Sequence, residues 1–165
     1  MIVMMAGLPG TGKSTLARAL AERTSGLVLD KDQIRQALFA PADIEFSTEQ
    51  DDFCMGVMLE TAAYVLGKNP GRHVFLDGRP FSRRYQIECV IECAKELGQP
   101  WRIVECVCSE ETAKKRLAEE HIAGNRNFAL YLRVKARYEE IGFPKRVVDT
   151  ERPLEECVRE AMAAL

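Results

Sequence analysis

Residues 7–14 constrain this chain more than any other segment, because they match the phosphate-binding pattern G-x-x-x-x-G-K-[ST] at every position. The apolar run Ile2–Ala6 precedes them and a helically spaced segment, 15–21, follows. This context predicts a strand, a glycine loop and a helix in that order. Glycines let successive backbone N–H groups turn towards an anion, and the helix start adds its partial positive charge. The segment therefore predicts a site for a nucleoside triphosphate.

Each residue of the loop has an expected role at that site. Lys13 is expected to contact the β- and γ-phosphates, and the Ser14 hydroxyl is expected to bind Mg²⁺. The other positions are expected to surround the phosphates: Gly7, Leu8, Pro9, Gly10, Thr11, Gly12 and Thr15.

The composition predicts one globular domain spanning residues 1–165. A formal net charge of −2 gives no general attraction to nucleic acid. No apolar run approaches the roughly 20 residues that span a membrane, and the N-terminus lacks the basic leader of a signal peptide. A cytoplasmic location is expected. The 6 cysteines form no C-x-x-C pair, so buried, reduced thiols are expected rather than a metal site or disulfides.

Short β-rich runs alternate with helical stretches along the whole chain. The predicted strands are 2–6, 27–29, 73–76, 101–107 and 146–148. The predicted helices are 14–23, 33–39, 48–66, 83–97, 110–119, 127–141 and 154–165, and segments 40–47 and 120–126 are predicted to be irregular. Such alternation predicts an α/β fold, in which helices flank a five-stranded parallel sheet.

Asp32 and Arg35 follow the second predicted strand and lie three residues apart at a predicted helix start. A carboxylate at this edge of the sheet can orient and deprotonate an attacking hydroxyl group. An arginine one turn later can hold the acceptor or a phosphate oxygen. A purely structural interpretation remains open, with Asp32 as the helix N-cap and Arg35 as its ion-pair partner.

Asp77 ends the third predicted strand, after an apolar run. Behind a phosphate-binding loop, an acid in this position is expected to hold Mg²⁺. Three arginines follow, at 79, 83 and 84. One of them could contact substrate, although exposed surface charge is the default expectation for each.

Arg116 and Arg126 flank a glycine-containing segment, and both are candidate catalytic residues. A mobile arginine that closes on the γ-phosphoryl group stabilises the charge of its transition state. Residues 116–127 are therefore predicted to form a short lid.

The loop 7–15, the Asp32-x-x-Arg35 pair and Asp77 together resemble the small P-loop kinases of the zeta-toxin and polynucleotide-kinase type, a group of AAA-type ATP-binding proteins. The resemblance implies a P-loop NTPase fold with a lid. It also implies γ-phosphoryl transfer from ATP to an alcohol, with Asp32 as general base and Arg35 on the acceptor. By the same resemblance, the segment that contains Thr150 is expected to pack against the adenine.

Three hypotheses follow for the function. The leading one is an ATP- and Mg²⁺-dependent kinase that acts on a hydroxyl group of a small-molecule acceptor. The second is a polynucleotide 5′-hydroxyl kinase, which would need a basic groove near Arg79, Arg83 and Arg84. The third is a nucleotide-binding or sensing module without acceptor chemistry, although the chain lacks the Asn-Lys-x-Asp guanine motif. The sequence specifies neither the acceptor nor the oligomeric state.

Overall fold

The strands form one parallel five-stranded sheet in the computed structural model, which describes residues 1–119 and 127–165. The strands are β1 (Ile2–Ala6), β2 (Leu27–Asp30), β3 (Val74–Asp77), β4 (Trp101–Val107) and β5 (Arg146–Asp149). Their order across the sheet is β2-β3-β1-β4-β5, and every neighbouring pair is parallel. The α/β fold predicted from the sequence is confirmed.

Seven α-helices lie in the described part of the chain. They are α1 (Lys13–Thr24), α2 (Lys31–Leu38), α3 (Thr48–Lys68), α4 (Arg84–Glu96), α5 (Glu110–Glu119), α6 (Phe128–Lys135) and α7 (Leu154–Met162). A short 3-10 turn, Pro41–Asp43, lies in the segment 40–47 that was predicted to be irregular. The other segment predicted to be irregular, 120–126, lies outside the described residues.

The sheet separates two apolar layers. All five residues of β1 are buried, as expected for a central parallel strand covered on both faces. Ile2 and Met4 pack in the layer formed with α3 and α4. Val3 and Met5 pack in the opposite layer, with α1 and α7. Strand β1 thus anchors the loop that follows it from both sides.

The strand order reverses beside β1, because the chain passes from β3 on one side of it to β4 on the other. In open α/β sheets a ligand crevice forms at such a point, beyond the carboxyl ends of the strands. The segment 7–12 leaves β1 there, so the topology places the predicted phosphate site in the crevice.

Two helix boundaries differ from the sequence prediction for identifiable reasons. Helix α2 begins at Lys31 rather than at residue 33, because the Asp30 side chain caps it by accepting hydrogen bonds from the backbone N–H groups of Asp32 and Gln33. Helix α6 ends at Lys135 rather than at residue 141. The residues after it leave the helix to make tertiary contacts, which override helical propensity.

All six cysteines are free, but only Cys54, Cys106 and Cys157 are buried. Cys93 and Cys108 are half-buried and Cys89 is exposed, so the expectation of burial was wrong for these three. Within residues 1–119 and 127–165, no helix is both long enough and apolar enough to cross a membrane.

Candidate active site

The phosphate loop has the backbone shape that its glycines predicted. Gly7, Gly10 and Gly12 have φ values of 127°, 77° and 78°, in the region that side chains other than glycine rarely adopt. A Cβ atom on Gly7 would also lie 2.3 Å from the Cys106 carbonyl oxygen. The loop therefore requires glycine there for both conformation and space.

Lys13 and Thr11 both contact the start of the loop. The Lys13 Nζ donates a hydrogen bond of 2.7 Å to the Leu8 carbonyl, and the Thr11 hydroxyl donates one of 2.8 Å to the same oxygen. Ser14 occupies the second position of α1, directly after Lys13. The ammonium group of Lys13 thus lies against the loop that is predicted to surround the phosphates.

Arg116 and Thr150 meet on one side of this loop. The Arg116 guanidinium donates hydrogen bonds to the Thr150 hydroxyl at 3.0 Å and to its carbonyl at 2.7 Å. The Thr150 hydroxyl lies 3.0 Å from the carbonyl of Thr11, to which it donates. These two predicted residues are therefore brought together beside the loop, whereas Arg126 lies outside the described residues.

A cavity of about 450 Å³ opens at this point. Its lining comes from the loop, α1, α5 and the segment after β5: Gly10, Gly12, Thr15, Leu16, Arg116, Glu119, Thr150, Arg152, Leu154 and Cys157. Half of these residues are polar or charged, so the cavity combines apolar walls with groups that can fix the orientation of a ligand. Its position beside the phosphate loop suits the base and ribose of a nucleotide.

Two carboxylates end the neighbouring strands β2 and β3. Asp30 and Asp77 are partners in the strand register. Asp77 is buried, and its Oδ1 has no hydrogen-bond partner among the described residues. Burial, followed by the charge of Asp77, raises the pKa of Asp30. Adjacent acids and the Ser14 hydroxyl are the oxygen ligands that Mg²⁺ prefers, so these residues fit that ion.

Asp32 and Arg35 belong to a network of buried cations and partly exposed acids. Arg35, only 2% exposed, donates a 2.7 Å hydrogen bond to the Asp32 carboxylate and also pairs with Asp51. Lys31, 6% exposed, lies 2.6 Å from Asp51 and 3.5 Å from Asp32. The Asp32 side chain remains 30% exposed. Two cations thus hold one carboxylate in place and leave it open to an incoming group.

The structural interpretation of Asp32 had two parts, a helix cap and an ion pair with Arg35, and the structure contains only the second. Asp30, not Asp32, caps α2, so the expectation that Asp32 could be the N-cap was wrong. The ion pair between Asp32 and Arg35 is present.

The arginines after β3 divide into two kinds. Arg79 is buried, which contradicts the expectation of exposed surface charge, and it pairs with Asp52 on α3. Arg83 and Arg84 lie at the surface and pair with Glu139 and Glu88, respectively.

A comparison with protein families gives a match over most of the chain, because the AAA domain profile matches residues 2–140. The chain belongs to the AAA domain family. No curated protein matches it in sequence.

Solved structures of small P-loop kinases share the fold of this AAA domain protein. A gluconokinase from Sinorhizobium meliloti is 22% identical, with a TM-score of 0.72 over 98% of this chain and 89% of that one. A sugar kinase from Janibacter sp. HTCC2649 is 18% identical, with a TM-score of 0.71 over 99% and 92%. The APS kinase of Mycobacterium tuberculosis, solved with AMPPNP and APS, is 19% identical, with a TM-score of 0.68 over 98% and 95%. The resemblance to small P-loop kinases is confirmed.

Several residues that complete this AAA domain site escaped the sequence analysis. Lys31 and Asp51 lie 20 residues apart, on α2 and α3, and meet only when these helices pack together. Asp30 could have been found from the sequence, because it is an acid at the end of a strand, as Asp77 is in the neighbouring strand. The roles predicted for the loop, the acids and the arginines stay predictions.

Proposed function

We propose that this protein is an ATP-dependent kinase that transfers the γ-phosphoryl group to a hydroxyl group of a small-molecule acceptor. The observation that carries the proposal is the Asp32 carboxylate, partly exposed and fixed by Arg35 and Lys31 at the same edge of the sheet as the phosphate loop. A protein that only binds a nucleotide has no need of such a group. The kinase folds of the structural neighbours support the same class of activity.

Asp32 is proposed to act as the general base. The acceptor hydroxyl group transfers its proton to the carboxylate, and the acceptor oxygen forms a bond to the γ-phosphorus. At the same time the bond between the γ-phosphorus and the bridging oxygen breaks, and that oxygen leaves as part of ADP. Arg35 keeps the carboxylate oriented through the 2.7 Å contact. Positioning of this kind supplies much of the catalysis in phosphoryl transfer.

Cations around the loop are proposed to hold the triphosphate. Lys13 would exchange its contact with the Leu8 carbonyl for the β- and γ-phosphate oxygens. Arg116 reaches Gly10 and Thr150, and it would contribute positive charge from the nucleotide side.

Ser14 and Asp77 are proposed to hold Mg²⁺, with Asp30 beside them. The buried, unpartnered Oδ1 of Asp77 supports this assignment. When bound, the ion would neutralise charge on the β- and γ-phosphates.

The polynucleotide 5′-hydroxyl kinase hypothesis receives less support. It needed a basic groove at Arg79, Arg83 and Arg84, and each of these arginines pairs with a carboxylate in the structure. Arg79 is buried, and Arg83 and Arg84 are the two surface arginines of this set, so the three do not form the continuous basic groove that a phosphate backbone needs. We therefore propose a small molecule rather than a nucleic acid as the acceptor.

A coupled assay of ADP release tests the proposal. Mg·ATP is supplied with a panel of acceptors: sugars, sugar acids, nucleosides, aminoglycosides, nucleotide sugars and 5′-hydroxyl oligonucleotides. The proposal predicts a large increase in rate with one class of acceptor. Slow hydrolysis that no acceptor changes would favour a nucleotide-binding module instead.

A further inference from the structure

Arg79 is a buried cation whose hydrogen-bonding capacity is largely unused. It is only 3% exposed. Its Nη2 donates to the Asp52 carboxylate and to the Tyr85 hydroxyl, the latter at 3.2 Å. Its Nε is buried and has no partner among the described residues. A guanidinium has five N–H donors and binds an oxyanion best through two parallel hydrogen bonds, so the contact through Nη2 alone leaves Arg79 poorly satisfied.

The groups that cover Arg79 are exposed, unlike Arg79 itself. The Asp52 side chain is 44% exposed and Tyr85 is 42% exposed. The Tyr85 hydroxyl lies 3.3 Å from both carboxylate oxygens of Asp52. Because Asp52 already faces water, it can turn away from Arg79 without burying a charge. The Asp52 carboxylate thus covers the Arg79 guanidinium in a position that another anion can take.

Arg79 also lies between the two halves of the candidate active site. The carbonyl of Pro80, the next residue, accepts a 3.1 Å hydrogen bond from the backbone N–H of Gly7 in the phosphate loop. On the other side, Asp52 follows Asp51, which pairs with Arg35 and Lys31. The Arg79 side chain thus contacts the same turn of α3 that holds Arg35 and Lys31, and the residue after it contacts the phosphate loop.

The backbone around Arg79 is shaped to bring it there. Gly78 has φ of 84°, and a Cβ on it would lie 2.9 Å from the Lys31 backbone nitrogen. Phe81, fully buried, has φ of 52°, which is uncommon for a bulky residue. These two backbone conformations flank Arg79, whose side chain contacts Asp52 on α3.

We propose that Arg79 binds an anionic group of the acceptor, a carboxylate, phosphate or sulfate, and that Asp52 is the internal ligand displaced by that group. The inference rests on the proposed kinase function and adds the chemical class of its acceptor, a hydroxyl compound that carries an oxyanion. An incoming oxyanion that binds Arg79 through two N–H groups forms a stronger pair than the contact with Asp52. Arg79 is then a specificity-determining residue, separate from the base and the phosphate loop.

Equilibrium binding of simple oxyanions tests this proposal without requiring turnover. The nucleotide site is first saturated with Mg·AMPPNP, so that the phosphate loop cannot take the probe. Sulfate, phosphate and gluconate are then titrated calorimetrically, with sorbitol as the uncharged counterpart of gluconate. The substitution Asp52→Asn removes the competing charge, and it is expected to tighten oxyanion binding about tenfold and to leave sorbitol binding unchanged.

Glu49→Gln is the matched control, because Glu49 is an exposed acid in the first turn of the same helix. Tightening in Asp52→Asn but not in Glu49→Gln supports the subsite. Equal effects in both variants, or no oxyanion binding by either, would overturn it. The substitution Arg79→Lys keeps the charge but loses the geometry for two parallel hydrogen bonds, so it should weaken oxyanion binding. A change in AMPPNP affinity instead would assign Arg79 to the γ-phosphate and refute the proposal. Failure of the kinase function itself would appear separately, in the ADP-release assay.

Discussion

Asp32 illustrates how a single residue acquires its role from its neighbours. On the sequence it is an acid near a helix start, for which capping is the ordinary explanation. In the structure Asp30 has taken that role, and Asp32 instead points to Arg35 and Lys31. Asp32 is held by two cations and is 30% exposed, so its carboxylate has a fixed orientation in which it can accept a hydrogen bond from a hydroxyl group.

The substitution Asp32→Asn should separate chemistry from binding. We expect turnover with a competent acceptor to fall by about 10²-fold or more, because an amide cannot accept the proton. The affinity for AMPPNP should stay within a few-fold of that of the unmodified protein. Coupled ADP release and calorimetric titration measure the two quantities.

Asp43→Asn provides the control, because Asp43 is an exposed acid on the 3-10 turn. It should change neither quantity. Unaltered turnover in Asp32→Asn would remove Asp32 as the base and leave it a structural partner of Arg35.

At the scale of elements, the end of α6 shows where tertiary contacts determine structure. Helix α4 has no side-chain cap from its own N-cap residue, Arg83. Glu139 supplies the cap from elsewhere: it accepts hydrogen bonds from the Arg84 backbone N–H at 2.7 Å and from the Arg83 side chain at 3.0 Å. Tyr138 donates to Glu105 on β4 at 3.1 Å. The chain turns after Lys135, through hydrogen bonds from Arg137 to Val134 and from Tyr138 to Lys135, and so places Tyr138 and Glu139 for these contacts.

Glu139→Gln should therefore reduce stability in a pH-dependent manner. The hydrogen bonds from Arg84 and Arg83 lower the pKa of Glu139 below its ordinary value of 4.5. The stabilisation is then fully present above pH 4.5 and is lost as the pH falls through the lower pKa of the folded state. We expect the variant to have a lower Tm than the unmodified protein at pH 7, and the difference to shrink below pH 4.5.

Thermal unfolding followed by circular dichroism across this pH range measures the effect. Glu140→Gln is the matched control, because Glu140 is the adjacent exposed acid. An equal loss of Tm in both variants, or a loss that does not depend on pH, would show that Glu139 does not act as the cap of α4.

The sequence predicted the elements better than their ends. Strands β1 and β4 were predicted to the residue, since strongly apolar runs with clear turn signals mark them. Helix α2 begins two residues before the predicted start because its cap is Asp30, whereas the sequence analysis considered only Asp32 for that role. The phosphate loop was predictable because its eight residues are consecutive. The ion pairs Lys31–Asp51 and Arg79–Asp52 were not, since the members of each pair are 20 or more residues apart and meet only when the chain folds.

At the scale of the whole molecule, the sheet places the residues proposed to bind the nucleotide, the ion and the acceptor along one edge. The loop follows β1, Asp30 and Asp77 end β2 and β3, and Thr150 follows β5. Parallel strands end at the same edge, so residues far apart in sequence converge there. The alternation of elements along the chain therefore determines the site as well as the fold.

Nucleotide and Mg²⁺ should stabilise the entire fold through this edge. Ligand at one hundred times its Kd adds about 2.7 kcal/mol, which raises Tm by about 5–10 °C for a chain of this size. We expect AMPPNP with Mg²⁺ to raise Tm more than AMPPNP with EDTA. Asp77→Asn should abolish that additional increase, because it removes a proposed ligand of the ion.

Differential scanning calorimetry of both proteins under the two conditions measures this. Asp77→Asn without Mg²⁺ should remain folded, since the substitution also removes the like charge beside Asp30. An undiminished Mg²⁺ effect in the variant would place the ion elsewhere.

Mass spectrometry of the products tests the central claim, phosphoryl transfer to a hydroxyl group, most directly. The acceptor that gives the largest ADP release is incubated with Mg·ATP, and ADP, inorganic phosphate and phosphorylated acceptor are quantified together. The account predicts one phosphorylated acceptor for each ADP and almost no inorganic phosphate. ADP accompanied by an equal amount of inorganic phosphate, with the acceptor unmodified, would contradict it.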